Sequence, residues 1–374
     1  MSMGVHKAAR LRRVVPAGRG RWAAVRWWLV AAVLGGVLAA VGMLWLARGC
    51  GKLWGPMADG QQPRQVAIVA VGDVMLDRGV GSKIRRHGPQ HVFAKVKDVL
   101  ADGDVRFCNL ESPISDTGPH APHACVFRAS PIAVRALTDA GFDIVSLANN
   151  HGMDAGRDGL QKTMMILARN GIAFAGAAWT QGENVPPTIL RINGLRLRFL
   201  AFTDIGQADA RVSPEDHAVA LRQVRAAQCE ADLVLASVHW GIEYARRPSE
   251  WQRRFAHALV DAGADIVLGH HPHVLQGVEM LNGKLICYSM GNFVFDQRGH
   301  ERMESAVFRI RYDQAEGLSL RIRPVWIPRA SFAPEPCDAE RGARILERMR
   351  GLCAELGTVM RIEGSEGALD ARAA

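Results

Sequence analysis

Three histidines fall within four residues in Gly269-His270-His271-Pro272-His273. Imidazoles this close repel one another when protonated and gain little from packing, so their joint presence points to a use for their lone pairs. Directly after other apolar runs stand Gly72-Asp73, Asn109-Leu110-Glu111, Asn149-Asn150-His151-Gly152-Met153-Asp154, His239-Trp240-Gly241-Ile242-Glu243 and Gly291-Asn292. Each group alone has a plain structural reading. Gly-Asp makes a turn, Asn-Asn-His can cap a helix with Asp154 near its N-terminus, and His239 can be a core histidine. In chain order they supply the mixed oxygen and imidazole donors that divalent ions accept. Two such ions roughly 3.5–4 Å apart share a bridging carboxylate and acidify a water between them, so that it attacks near neutral pH. A histidine beside the metals then protonates the leaving oxygen, and His151 is placed for this if Asn150 is a ligand.

These residues need strands that end at one edge. The apolar runs at 66–71, 105–109, 143–148, 233–239, 265–268 and 285–290 read as buried strands. Amphipathic stretches near 91–102, 131–141, 156–170, 214–228 and 249–263 read as the helices between them. Such alternation indicates an α/β protein whose strands are buried on both faces and whose ligands bind at the strands' C-terminal ends. Residues 188–203 read as a hairpin about Asn193-Gly194, 305–312 and 318–327 as two antiparallel strands, and 339–356 as a closing helix. The last ten or so residues read as disordered, and there is no internal repeat.

Charge is placed unevenly. The chain carries 46 Lys+Arg against 37 Asp+Glu, and residues 1–52 hold nine of the basic groups and no acidic one, leaving 37 against 37 beyond them. The folded part is therefore formally neutral, which removes the case for a nucleic-acid partner. Residues 27–47 are 21 residues without a charge. At helical rise they cover about 31 Å, one hydrocarbon thickness. Seven basic residues precede this stretch and two follow it. The positive-inside rule then puts residues 1–26 in the cytoplasm as a basic tail. The expectation is a single-pass signal anchor in the cell membrane at 27–47, a linker at 48–64, an exported domain at 65–330 and a C-terminal helix and tail at 331–374. Lipidation of Cys50 is the alternative anchor, disfavoured by Arg48 and the lack of Leu at minus three. The seven cysteines show no metal-type spacing. Cys108 and Cys287 read as buried thiols, and Cys337 with Cys353 as a candidate disulfide.

With these residues in view, the sequence closely resembles the CapA family, also called PgsA-like, of bacterial capsule or poly-γ-glutamate synthesis proteins. The strings that carry the resemblance are GDVMLDRGV (72–80), NLESPIS (109–115), SLANNHGMDAGRDGL (146–160), HWGIEY (239–244), GHHPHVLQG (269–277) and YSMGNFVFDQ (288–297). The resemblance implies a metallophosphoesterase-like α/β/β/α sandwich of the calcineurin type, here preceded by a single N-terminal transmembrane helix. It also implies metal ligands at Asp73, Glu111, Asn150, His239, His271 and His273. His151 is implied as the general acid, with Asp154 beside it as the second catalytic residue. Asn149, Glu243, His270 and Asn292 are expected to line the same pocket, the role of His270 being open. One or two divalent ions (Mn, Zn or Fe) are the implied cofactors. Two positions depart from the phosphoesterase pattern: Met75 stands where those enzymes carry a histidine, and Glu111 where they carry a bridging Asp.

Three functions are compatible with this reading. One is a membrane-anchored, metal-dependent hydrolase or transferase acting on an emerging anionic polymer beside a membrane polymer-synthase complex. Another is a free-standing exported metallohydrolase of phosphoester, amide or glycan substrates. The third is a catalytically silent, polymer-binding scaffold. Arg246, Arg247, Arg253 and Arg254 either meet an anionic chain or form a solvated helix face.

Overall fold

The structure, a computed structural model, describes residues 64–117, 125–179, 185–206 and 217–370. The basic tail, the expected membrane span at 27–47, Cys50 and all but the last residue of the linker lie outside the described residues. Among the described residues no helix is long and apolar enough to cross a membrane.

The chain begins with β1 (Gln65–Val74), α1 (Arg78–His87) and α2 (Lys97–Ala101). Next come β2 (Val105–Leu110), α3 (Val134–Asp139), β3 (Ile144–Ser146), α4 (Gly156–Arg169) and β4 (Ala173–Ala175). A hairpin of β5 (Thr188–Ile192) and β6 (Leu195–Thr203) leads to α5 (Ala218–Gln228), β7 (Leu233–His239), α6 (Glu250–Asp261) and β8 (Ile266–His270). There follow β9 (Val278–Leu281), β10 (Lys284–Cys287), β11 (Asn292–Val294), α7 (His300–Met303), β12 (Glu304–Asp313) and β13 (Gly317–Trp326). The last elements are β14 (Glu335–Pro336), α8 (Ala339–Glu355), β15 (Arg361–Glu363) and β16 (Glu366–Asp370).

Two sheets result. One runs β15-β16-β13-β12-β1-β2-β3-β4, with β11 beside β1 and β14 beside β13; the other runs β5-β6-β7-β8-β10-β9. The first sheet is parallel across β1, β2, β3 and β4, the second across β6, β7, β8 and β10. One core joins the sheets face to face: Ile68, Phe107 and Ile144 of the first meet Phe199, Leu235 and Leu268 of the second. On the outer face of the first sheet, Val80, Ile84, Leu100, Leu137, Leu160 and Met164 from α1 to α4 form a second core. On the outer face of the second, Val224, Phe255 and Leu259 from α5 and α6 form a third around Trp240. Sheets covered on both faces explain why the parallel strands read as continuous apolar runs. The outcome is a mixed α/β sandwich of helices, sheet, sheet and helices.

The hairpin turn matches its sequence reading, with Asn193 and Gly194 both at positive φ (51° and 76°), as a two-residue turn of primed type requires. Other expectations need correction. The segment 91–102 is α-helical only over Lys97–Ala101, after a 3₁₀ turn at Pro89–His91, because Val96 leaves the helical region at φ −117°. Conversely α1 went unread: its apolar face consists of Val80 and Ile84 alone in a segment otherwise of glycine and polar or basic residues, too few apolar groups to stand out. The C-terminal residues are ordered through Asp370, since β16 pairs with β13 from Ser319↔Asp370 to Ile322↔Gly367. Residues 331–370 are also no appendage, because Ile345, Leu346, Met349 and Cys353 of α8 enter the core between the sheets. Cys337 and Cys353 are both free thiols. Cys337 lies beside Gly342 in the first turn of α8 and Cys353 in its last turn, which separates them by about 17 Å along the helix axis. Cys108 and Cys287 are buried thiols, as read.

The two sheets exchange the chain between β10 and β11, where Gly72 of β1 lies against Gly291. A Cβ on Gly72 would stand 1.9 Å from the Gly291 carbonyl oxygen, while the next residue's N–H, that of Asp73, donates to the same oxygen at 2.9 Å. Gly72→Ala is therefore expected to destabilise the domain by on the order of 3 kcal/mol. Urea-unfolding midpoints of the two proteins check this.

Candidate metal centre

Because the parallel strands of both sheets point the same way at their shared interface, their C-terminal ends deliver polar residues to one place. Asp73 lies in register with Asn109 on one side and Asn292 on the other, and His239 with His270. Asp73, Asn109, Glu111, Asn149, His151, Asp154, His239, His270, His271, His273 and Asn292 are all buried. Asn150 is half-buried and Glu243 is exposed at the mouth.

Asp73 is the hub. Its Oδ1 accepts from Asn109 Nδ2 at 2.9 Å and lies 3.1 Å from His270 Nδ1, and its Oδ2 accepts from the His271 backbone N–H at 3.3 Å. Donor atoms of Asp73, Glu111 and His239 lie within 4.8 Å of one another, and so do those of Glu243, His271 and His273. His239 Nε2 is 2.7 Å from Asn150 Oδ1 and 3.1 Å from His271 Nδ1. His273 sends Nδ1 to Asn292 Oδ1 at 2.9 Å, which leaves Nε2 3.6 Å from Glu111 Oε1. Asn292 is itself fixed, its Nδ2 donating to Gln297 Oε1 and to the Arg302 carbonyl. A histidine whose far nitrogen is held in this way presents the other with a set tautomer.

The remaining sequence-selected residues have distinct places. Asn149 is bracing: its Nδ2 donates to Asn109 Oδ1 and to the Leu110 carbonyl, and its Oδ1 accepts from the His151 backbone. His270 holds Asp73, which answers the question its sequence position left open. His151 stands off the ligand cluster, with Nδ1 2.7 Å from Asp154 Oδ2 and its ring centre 4.0 Å from that of Phe127. Asp154 also accepts from the Phe127 backbone N–H at 2.7 Å, so it is a fixed base for the ring.

Burial sets the electrostatics. Burial would raise the Asp73 carboxyl, but hydrogen bonds and charge from His270 and His273 outweigh it and hold that carboxyl well below its ordinary value. Glu111 is driven well above the carboxylate range by burial and by the facing Asp73 and Glu243. His239 is pushed well down by burial and by His271. His271 falls to about 4 through burial and the neighbouring His273. Both imidazoles are therefore neutral, with lone pairs available, at physiological pH.

The donor set fits divalent metal. Glu111 Oε1 and His270 Nε2 are buried with no hydrogen-bond partner among the described residues. Unpaired buried polar atoms of this kind are costly, and an ion beside Glu111 would satisfy its free oxygen. His271 and His273 hold left-handed backbone at φ 95° and 58°. Such strain costs about 1–3 kcal/mol per residue and gathers where a site demands one geometry.

A cleft of about 530 Å³ opens over this centre, lined among others by Arg78, Phe127, Asn150, His151, Tyr244 and His273. Arg78 pairs with Asp296 and lies 5.1 Å from the Phe127 ring centre; Arg302 lies 4.4 Å from the Tyr244 ring centre. Arg78, Asn109, Phe127 and Tyr244 were not selected from the sequence. Arg78, Asn109 and Tyr244 sit inside the GDVMLDRGV, NLESPIS and HWGIEY strings, but nothing in spacing marks Arg78 as a cleft residue, and Phe127 lies in none of the strings. Of the arginines after His239, Arg253 and Arg254 lie exposed on α6, the latter paired with Glu250, and so form the solvated helix face, whereas Arg246 and Arg247 precede the helix and pair with Glu301 and Glu355.

The model of the bacterial capsule synthesis protein family PGA_cap matches residues 67–297. The chain belongs to this family. The matched span holds every candidate donor of the PGA_cap domain from Asp73 to Asn292, while α8 and the C-terminal hairpin lie beyond it. The PGA biosynthesis protein CapA of Bacillus subtilis (strain 168) is 31% identical over 289 residues, covering 75% of this chain and 76% of its own. The capsule biosynthesis protein CapA of Bacillus anthracis is 33% identical over 293 residues, covering 73% and 70%. A probable polyglutamine synthesis accessory protein of Mycobacterium tuberculosis (strain CDC 1551 / Oshkosh) is 32% identical over 254 residues, covering 60% and 67%. Among solved structures, a novel phosphatase from Mycoplasma pneumoniae aligns over 71% of this chain and 95% of its own at 13% identity and TM-score 0.47. A hypothetical protein from Thermus thermophilus aligns over 69% and 99% at 17% identity and TM-score 0.42.

The neutral burial of His271 gives a pH signature in chelated protein. Its folded value of about 4 lies below the ordinary 6.5. Its contribution to stability is therefore complete above about pH 6.5 and is lost as pH falls toward 4, because the unfolded chain takes up a proton that the folded chain refuses. Glu111, whose value is raised, acts in the opposite direction. In chelated His271→Asn the loss between pH 6.5 and 4 is expected to shrink by on the order of 2 kcal/mol. Asn tolerates the left-handed backbone. Urea midpoints across this range measure it, and parallel pH profiles for the two proteins would refute it.

Proposed function

We propose that this protein is a membrane-anchored, exported, metal-dependent hydrolase or transferase of capsule or poly-γ-glutamate biosynthesis, acting on an anionic polymer beside a membrane synthase complex. The observation that carries the chemical part is the meeting of Asp73, Glu111, Asn150, His239, His271 and His273 in one buried pocket with the His151–Asp154 pair at its edge. Membership of PGA_cap and the names of the Bacillus and Mycobacterium relatives support the polymer part. The uncharged stretch 27–47 with its one-sided basic flank supports the anchor and the outward placement of the domain.

Asp73, Glu111, Asn150, His239, His271 and His273 would hold the metal. When bound, divalent metal in this pocket supplies Lewis acidity and activates water. The chain's own groups do the rest. Asp154 engages the Nδ1 side of His151 and so leaves Nε2 to exchange the proton with a leaving group in the cleft. The close contact of the His151 and Phe127 rings restricts rotation of the imidazole. Arg78, held by Asp296 at the cleft wall, meets an anionic group of the substrate.

His151→Ala is expected to keep the wild-type metal content of the full chain in detergent while losing turnover by about 100-fold or more. His271→Ala should lose both. Metal analysis and a depolymerisation assay on poly-γ-glutamate read the two quantities, and equal metal loss in both variants would make His151 a ligand instead. A full-length protein without metal-dependent turnover on any capsule-type polymer would favour the scaffold reading. For the anchor, alkaline phosphatase fused after Ala374 should be active in cells and lose activity when residues 27–47 are deleted.

A further inference from the structure

Met75 occupies the position two residues after Asp73, and it turns away from the pocket. Its side chain is wholly buried in the core between the first sheet and its helices, and its sulfur accepts the Asp77 backbone N–H at 3.1 Å. The strand that carries Asp73 therefore provides one metal donor and no nitrogen.

Across the pocket, Glu243 lies in the loop between β7 and α6, and its carboxylate oxygen falls within 4.8 Å of the donor nitrogens of His271 and His273. The loop is held for this. Gly241 and Tyr244 both take positive φ, at 91° and 65°, and the Tyr244 N–H donates to the Pro272 carbonyl at 2.8 Å, inside the histidine loop. Gln276 Nε2 donates to the Ala245 carbonyl at 2.8 Å, a second tie between the same two segments. Burial and the adjacent Glu243 carboxylate raise the Tyr244 hydroxyl above its ordinary value, and Arg302 stacks on the Tyr244 ring at 4.4 Å. No cation pairs with Glu243 among the described residues, although it lies near enough to Glu111 to disfavour that group's charged form.

We infer that Glu243 is a metal ligand that, with His271 and His273, completes a metal position from the opposite wall of the pocket, in place of the donor that Met75 withholds. The inference rests on the reading of the pocket as a metal centre. Charge balance favours it. Asp73, Glu111 and Glu243 with neutral imidazoles present three negative charges to two divalent ions, whereas Asp73 and Glu111 alone would leave half of the ions' charge uncompensated in a buried site. A carboxylate at the mouth also differs from an imidazole in the wall: it can shift between one and two oxygens as the ion's other partners change.

The test uses the full chain in detergent, stripped with chelator and titrated with MnCl₂ by calorimetry, with metal content measured after dialysis. In Glu243→Gln the most weakly bound Mn²⁺ of the wild type should be lost or weakened at least tenfold, and the deficit should persist in about 0.5 M NaCl, where a long-range charge effect is screened. Because Glu243 is exposed, the metal-free variant should unfold at the wild-type temperature, which separates ligation from misfolding. Unchanged Mn²⁺ affinity and content in Glu243→Gln, or a deficit abolished by salt, would overturn the inference while leaving the metal centre intact. A wild type that takes up no metal would overturn the metal reading itself.

Discussion

A carboxylate with no solvent exposure, Asp73, sits where two sheets meet, and the surrounding architecture answers its charge. An isolated ionised carboxyl in a protein interior costs several kcal/mol or more, so it survives only with donors aimed at it. Asn109 comes from the adjacent strand of the same sheet, and His270 and the His271 N–H come from the second sheet. The interaction therefore spans the sandwich and fixes the offset of one sheet against the other. Glu111 shows the limit of this compensation. Its Oε2 is reached by Asn109 at 3.3 Å while its Oε1 has no hydrogen-bond partner among the described residues, and burial with the facing Asp73 and Glu243 disfavours its charged form. The fold satisfies one buried carboxylate and leaves the second in need of a cation.

That need is matched by backbone strain. His271, His273, Tyr244 and Arg78 all adopt positive φ without being glycine, and all four border the pocket or its cleft. Left-handed backbone at four such positions is unfavourable in aggregate, and it persists because strands β7 and β8 and the ties between their loops overdetermine it. Glycine serves where close approach leaves no alternative, as at Gly72 against Gly291. The strain turns the histidine loop back across the strand ends, so that neighbouring imidazoles point to a common centre.

The legible parts of the sequence were those in which burial repeats a pattern. Strands covered on both faces read as apolar runs, so β1, β2, β7 and β8 were placed within a few residues, and the polar residues that end them were placed with them. The Asn193-Gly194 turn was legible because its φ values restrict the residue types. Features made by tertiary contact were not. Helix α1 has only Val80 and Ile84 to mark its apolar face, and β16 gains its order from pairing with β13, with no strong pattern of its own. Arg78 and Phe127 reach the cleft from distant segments, one at a helix start and one beside a loop, and no spacing connects them. The supposed Cys337–Cys353 pair failed for the same reason: spacing along the chain says nothing of a rigid helix that holds one at its first turn and the other at its last.

The location of charge then constrains how a polyanion would be met. Beyond residue 52 the chain has 37 basic and 37 acidic groups, so no net field draws a polyanion to the domain. Much of the surface basic charge is also locally cancelled, as in the Arg247–Glu355, Arg321–Glu363 and Arg361–Asp370 pairs. Attraction must therefore be short-ranged and concentrated at the cleft. Among the described residues, Arg78 is the arginine in its wall, and it is shared with Asp296, which lowers its pull on an anion while fixing its direction. Selectivity by a fixed, partly neutralised arginine together with bound metal discriminates by geometry more than by charge density. Under the proposed function, a site of this kind would hold one anionic unit of a polymer at the reacting position and leave the flanking units loosely bound, as a chain that moves through the cleft after each event requires.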